Sequence, residues 1–225
     1  PYFQTLGVPL AIGMTVVIGI ALLQISEVRG MQSTAAPAIE NALDDVDRCF
    51  GAAALAAPDG ARVPASYRDL VPTPVDAAVD WPDVYWDDCW EWPPFPGLKH
   101  CEYGRPDGAV SVALLGSSHA GHWLPALQEL ADPLDLRITT FLASECTTNE
   151  QPVQFDAQVK TDGCVDWAEA ARSEVLAGDF DIVVISNRNV HPAVGAQSDQ
   201  ESLTLLQQGH RDYSEPFASA RVPAV

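Results

Sequence analysis

From Thr5 to Ile25 the chain carries no charged side chain (TLGVPLAIGMTVVIGIALLQI), and about 20 such residues are what a helix needs to cross the hydrocarbon core of a bilayer. The pattern predicts a membrane span with its flank over residues 1–28. A signal peptide would place a basic region ahead of a shorter apolar stretch, whereas Pro1 to Gln4 hold no positive charge. A buried core helix rarely runs so far without a charge. Residues 29–108 are rich in Ala, Pro and Asp and poor in period. They read as an extracytoplasmic connector with one short helix over Ile39–Val46.

From Ala109 the texture alternates. Ala109–Leu115 (AVSVALL) is a short apolar run of the kind buried on both faces of a parallel sheet. A helix is predicted over Ala120–Ala131, with Trp123, Leu127 and Leu130 at helical spacing and Pro125 near its start. Leu136–Leu142 is the second predicted strand, Val165–Ala177 the second helix, ended by Gly178, and Asp181–Ser186 the third strand. A further helix is predicted around Tyr213–Ala220. Right-handed crossovers turn this β-α-β-α-β order into an open α/β sheet with helices on both faces, spanning residues 109–225. Such sheets bind ligands at the carboxyl ends of their strands, which directs attention to Gly116 and Ser186.

Charge and cysteine content narrow the functional classes. The chain has 31 acidic against 12 basic side chains, a formal charge of -19, which repels a phosphate backbone and excludes nucleic acid as a partner. Acidity of this degree favours a neutral or cationic binding partner over an anionic polymer. Five cysteines occur without any C-x-x-C pair, so neither a zinc site nor a thioredoxin-type motif is written here. Cys89 and Cys101 bracket a loop rich in Trp and Pro, and Cys146 and Cys164 bracket a polar loop. Each closure is worth on the order of 3 kcal/mol if oxidised, and oxidation implies an extracytoplasmic compartment. Five buried thiols are the alternative, and connectivity does not follow from sequence alone. Cys49 is left over in the preferred pairing. Trp81, Trp86, Trp90 and Trp92 crowd the segment before and inside the first loop, either to stack on sugar or, the preferred reading, to cover the edge of the neighbouring domain.

At the tip of the first strand the chain reads Gly116-Ser117-Ser118-His119-Ala120-Gly121. Small residues that turn a strand directly into a helix expose a hydroxyl where free backbone N–H groups stabilise an oxyanion, a geometry suited to acyl transfer. The second glycine falls one place late for the G-x-S-x-G elbow, and a phosphate loop would require a lysine. A simple turn is the bland alternative. His119 and His122 lie one turn apart, but no third metal ligand accompanies them. His191 and His210 lie in a polar stretch with no carboxylate suitably spaced.

Leu114-Leu115-Gly116-Ser117-Ser118-His119-Ala120, followed by Trp123-Leu124-Pro125-Ala126-Leu127, resembles the first block of an SGNH-type hydrolase domain. In particular it is similar to the extracytoplasmic SGNH domain fused behind the membrane part of acyltransferase-3 proteins. The apolar span, the cysteine-bearing connector and the region ending Cys164-Val165-Asp166-Trp167 share that likeness. The resemblance implies a flavodoxin-like fold and a nucleophilic Ser118, with Ser117 standing where the family has Asp. It implies an oxyanion hole to which Gly116 and an asparagine at a later strand end, Asn187 or Asn189, contribute. Asn there is also an ordinary turn residue, as is Ser144 after the second strand. The family carries its base in an Asp-x-x-His block, and no aspartate here has histidine three residues later. Arg221–Val225 resembles the start of the next strand, so that block is expected beyond residue 225, with further membrane helices before residue 1.

Three functions fit these expectations. The favoured one is the extracytoplasmic part of a membrane O-acyltransferase. It would receive an acyl group, acetyl in the first instance, from the membrane portion and pass it through Ser118 to a cell-envelope glycan or glycolipid. The second is a carbohydrate esterase. The third is a degenerate, non-catalytic glycan-binding module, for which Ser117 in place of Asp is the argument. None calls for a cofactor or a metal.

Overall fold

The computed structural model describes residues 13–30, 72 and 76–219, in two compact units, Pro1–Trp81 and Pro82–Val225. The predicted Ile39–Val46 helix, Cys49 and Arg221–Val225 lie outside the described residues. In the first unit, helix α1 (Gly13–Gly30) is long and apolar enough to cross a membrane. At 1.5 Å per residue it is about 27 Å long, close to the roughly 30 Å of a hydrocarbon core.

The second unit is built on a four-stranded sheet of β1 (Cys101–Gly104), β2 (Val110–Gly116), β3 (Leu136–Leu142) and β4 (Ile182–Ser186), in the order β1-β3-β2-β4. β3, β2 and β4 run parallel, and β1 pairs antiparallel with β3, so the sheet is mixed rather than wholly parallel. The chain leaves β2 for β3 on one side and returns past β2 to β4 on the other. Such a reversal creates a crevice at the carboxyl ends of the two strands it separates, here β2 and β4. Register places Gly116 opposite both Leu142 and Ser186.

The largely apolar run of β2 is explained by burial on both faces. Val112 and Leu114 point with Ile138 and Leu142 into one core, against Ala120, Leu124 and Ala131. Ala113 and Leu115 point with Phe141 and Val183 into the other, against Trp167, Ala171, Val175, Leu206 and Tyr213. The first face is covered by α2 (Ser118–Gly121), α3 (Leu124–Glu129) and α4 (Ala131–Leu134), the second by α5 (Gln158–Ala177) and α6 (Asp199–Ser219).

Three helices and one segment depart from the sequence reading. The helix expected over Ala120–Ala131 is three short segments, because Pro125 and Pro133 each sit in the first turn of a new helix, where a missing N–H is tolerated. The helix expected from Val165 begins at Gln158, and the one expected around Tyr213 begins at Asp199. The buried stripe of α6 is Ser202, Leu206, Gly209, Tyr213 and Phe217; its small and polar members hide the helical period. Residues 82–108, assigned above to the connector, fold with the second unit: Val84, Cys89, Trp90 and Phe95 are buried, and β1 forms a sheet edge.

Disulfides join Cys89 to Cys101 and Cys146 to Cys164, with Cα separations of 5.8 and 5.5 Å, inside the range such bridges require. The first ties the aromatic segment to β1, the second the loop after β3 to α5.

Candidate active site

The turn out of β2 is set by Gly116. Its φ of +138° belongs to a region that side chains rarely enter, and a Cβ there would collide with the Ser186 carbonyl and lie 3.0 Å from Asn187 Oδ1. The Gly116 carbonyl accepts from Ala143 N (3.0 Å), so the tips of β3, β2 and β4 are locked side by side.

The two adjacent serines do different work. Ser117 is fully buried; its N–H donates to the Ser186 carbonyl (3.2 Å) and its Oγ accepts from Arg188 N (2.9 Å). It therefore pins the β2 tip to the β4 tip. Ser118 is half-buried, is the first residue of α2, and its Oγ has no hydrogen-bond partner among the described residues. The first turn of a helix leaves its N–H groups without intrahelical acceptors, and no side chain caps α2. Ser118 thus starts a helix at the tip of β2, and the N–H groups of Ala120 and Gly121 donate to the Ser117 carbonyl (2.9 and 3.3 Å).

Asn187, just past β4, is engaged. Its Nδ2 donates to Thr148 Oγ1 (2.8 Å) and its Oδ1 accepts from Thr148 N (3.2 Å). Asn189 is exposed. Both line an open pocket of about 470 Å³ beside β4, whose other polar walls are Asn149, Ser186, Gln207, His210 and Arg211. Ser144 is half-buried and donates its backbone N–H to the Glu91 carbonyl (2.8 Å), extending the sheet past the β3 tip. His119 and His122 are exposed with ring centroids 5.6 Å apart.

One pairing was missed by sequence reasoning. His191 Nε2 lies 3.0 Å from Glu145 Oε2, and the His191 ring packs on Phe155 at 4.1 Å. A carboxylate does face His191, then, against the expectation above. Glu145 adopts a left-handed φ of 60° just beyond β3, and His191 follows β4. The two residues thus come from the segments that follow β3 and β4, the neighbours of β2. The loop carrying His191 is held by Gln154 N donating to the Pro192 carbonyl and by Ala193 N donating to Ser202 Oγ, both at 2.8 Å. No local motif announces a contact 46 residues apart in sequence.

The family model described as "SGNH domain (fused to AT3 domains)" matches residues 85–219. The chain belongs to that SGNH family. The match begins at Tyr85, in keeping with the folding of residues 82–108 into the second unit. Among solved structures, the periplasmic domain of the lipopolysaccharide acetyltransferase of Salmonella ser. Paratyphi A is 12% identical, with a TM-score of 0.40. The alignment covers 52% of this chain and 44% of that one, so the chain spans less than half the length of that structure. No curated protein matches the chain. As an SGNH domain of the kind fused to AT3 domains, the molecule is a module associated with membrane acyltransferases.

Proposed function

We propose that this SGNH domain is the extracytoplasmic part of a membrane O-acyltransferase and that Ser118 carries the acyl group, acetyl in the first instance, to a hydroxyl of a cell-envelope glycan or glycolipid. The observation that carries the reading is the division of labour at the β2 tip. Ser117 is buried and bonded, while Ser118 is half-exposed at a helix start beside the crevice. Helix α1 anchors the chain in the bilayer, and the two disulfides suit an oxidising exterior.

In the first half-reaction the Ser118 Oγ–acyl carbon bond forms and the donor's bond to the acyl carbon breaks, with the serine proton passing through a base to the leaving group. The backbone N–H groups at the start of α2 and Gly116 flank the oxyanion that develops between these events. In the second, the sugar hydroxyl attacks, its proton returns through the base to Ser118, and the acyl ester leaves on the sugar. If water replaces the sugar the same site is an esterase, the second reading. The base is a histidine oriented by a carboxylate, and among the described residues His191 with Glu145 is such a pair, so His191→Gln tests whether it serves that role.

Labelling by a fluorophosphonate probe in membranes that carry the protein tests the assignment. Labelling that disappears in Ser118→Ala is expected. A folded wild-type protein that stays unlabelled refutes the acyl-enzyme and leaves the non-catalytic module.

A further inference from the structure

We infer that Thr148 is a positioning residue for the acyl chemistry: it holds the Asn187 side-chain amide in one orientation and leaves that amide's second N–H for the oxyanion, an inference that rests on Ser118 being the acylated serine. The amide is gripped at both ends. Thr148 N donates to Asn187 Oδ1 (3.2 Å), and Asn187 Nδ2 donates to Thr148 Oγ1 (2.8 Å). A backbone N–H can only donate, so the amide oxygen faces it and the nitrogen faces the hydroxyl. Nδ2 carries two hydrogens. Thr148 takes one, and the other has no partner among the described residues.

The backbone on either side fixes where this amide stands. Ser186 pairs with Gly116, and its carbonyl accepts from Ser117 N (3.2 Å); Arg188 N donates to Ser117 Oγ (2.9 Å). Asn187 lies between these two ties, and its Oδ1 is 3.0 Å from the place a Cβ on Gly116 would take. The amide therefore packs on the β2 tip, against the residue two places before Ser118. Thr148 is anchored in turn. It is fully buried. Two residues earlier Cys146 is bridged to Cys164 of α5, and one residue later Asn149 Nδ2 donates to the Leu206 carbonyl of α6 (2.9 Å). A donor oriented in advance by such a second layer stabilises developing charge without reorganising during the reaction.

The test uses the full-length protein in its membrane and follows fluorophosphonate labelling as a function of probe concentration, which separates probe affinity from the limiting labelling rate. Asn187→Ala should lower the limiting rate about a hundredfold, the scale of one lost oxyanion donor. Thr148→Val keeps the N–H and removes the hydroxyl. It should lower the limiting rate about tenfold with probe affinity unchanged, a part of the loss of a whole donor. Thr148→Ser should recover most of that loss, and in an Asn187→Ala background Thr148→Val should have no further effect. Unfolding midpoints are read on the same samples, and Thr148→Ala takes the place of Thr148→Val where the latter does not fold. A limiting rate that is unchanged in Thr148→Val, or that falls equally with and without Asn187, overturns the inference and spares the Ser118 reading. A folded parent that is never labelled removes both.

Discussion

Exchanging the two neighbouring serines for alanine, one at a time, separates structure from chemistry at the β2 tip. Ser117→Ala removes a fully buried acceptor and strands the Arg188 N–H that donates to it at 2.9 Å. A net hydrogen bond is worth about 1 kcal/mol, and an orphaned donor adds up to about 1–3 kcal/mol. Because Arg188 is exposed and water reaches its backbone in part, a total of about 1–2 kcal/mol is expected. Ser118→Ala removes an unbonded, half-exposed hydroxyl and should stay within about 0.5 kcal/mol of the parent. With a urea dependence of about 2 kcal/mol per molar, Ser117→Ala shifts the unfolding midpoint down by about 0.5–1 M and Ser118→Ala hardly at all. Fluorophosphonate labelling of the same samples should show the opposite order, lost in Ser118→Ala and retained in Ser117→Ala. Equal destabilisation by both, or labelling that follows Ser117, would refute the division of roles.

Other perturbations probe the frame of the site. Gly116→Ala combines left-handed strain of about 1–3 kcal/mol with a clash against Ser186 of similar size, so a loss of about 3–5 kcal/mol should appear in chemical denaturation. Asp181 accepts the Ser111 N–H (2.8 Å) and hydroxyl (2.9 Å), and that backbone bond first, the hydroxyl second, hold its carboxyl below the usual aspartate range. Its contribution is therefore present above the ordinary pKa near 4 and is lost as pH falls through the folded value; Asp181→Asn should flatten the acid limb of a stability profile and leave the neutral-to-alkaline limb with its slope unchanged. Replacing Cys146 and Cys164 together by serine opens a loop whose closure is worth about 3 kcal/mol, measurable as a lowered midpoint whose remaining response to reductant comes from Cys89–Cys101.

How far the sequence revealed this structure depends on where each contact is encoded. β2, β3 and β4 were legible because short runs dominated by apolar and β-branched residues read as strands, and their boundaries shifted by one residue at most. β1 was not, since four residues with alternating exposure at a sheet edge carry almost no hydrophobic signal. The segmentation of α2, α3 and α4 follows from Pro125 and Pro133, each in the first turn of a short helix. The position of Ser118 was legible from its glycine-led turn, but the buried role of Ser117 was not, because its partner lies 71 residues away. Likewise the exposure of Trp92 and Trp123, set against the burial of Trp90, depends on tertiary packing that composition does not encode.

The most direct test of a serine acyl-enzyme traps it. The protein in its membrane is mixed with an acetyl donor, quenched in acid within the first turnover, digested and mapped by mass spectrometry. An added acetyl group on Ser118, absent from Ser118→Ala and chased off by a sugar acceptor, is the expected result. A turning-over enzyme in which Ser118 stays unmodified, or in which the acetyl group resides on Ser117 or a histidine, would contradict it.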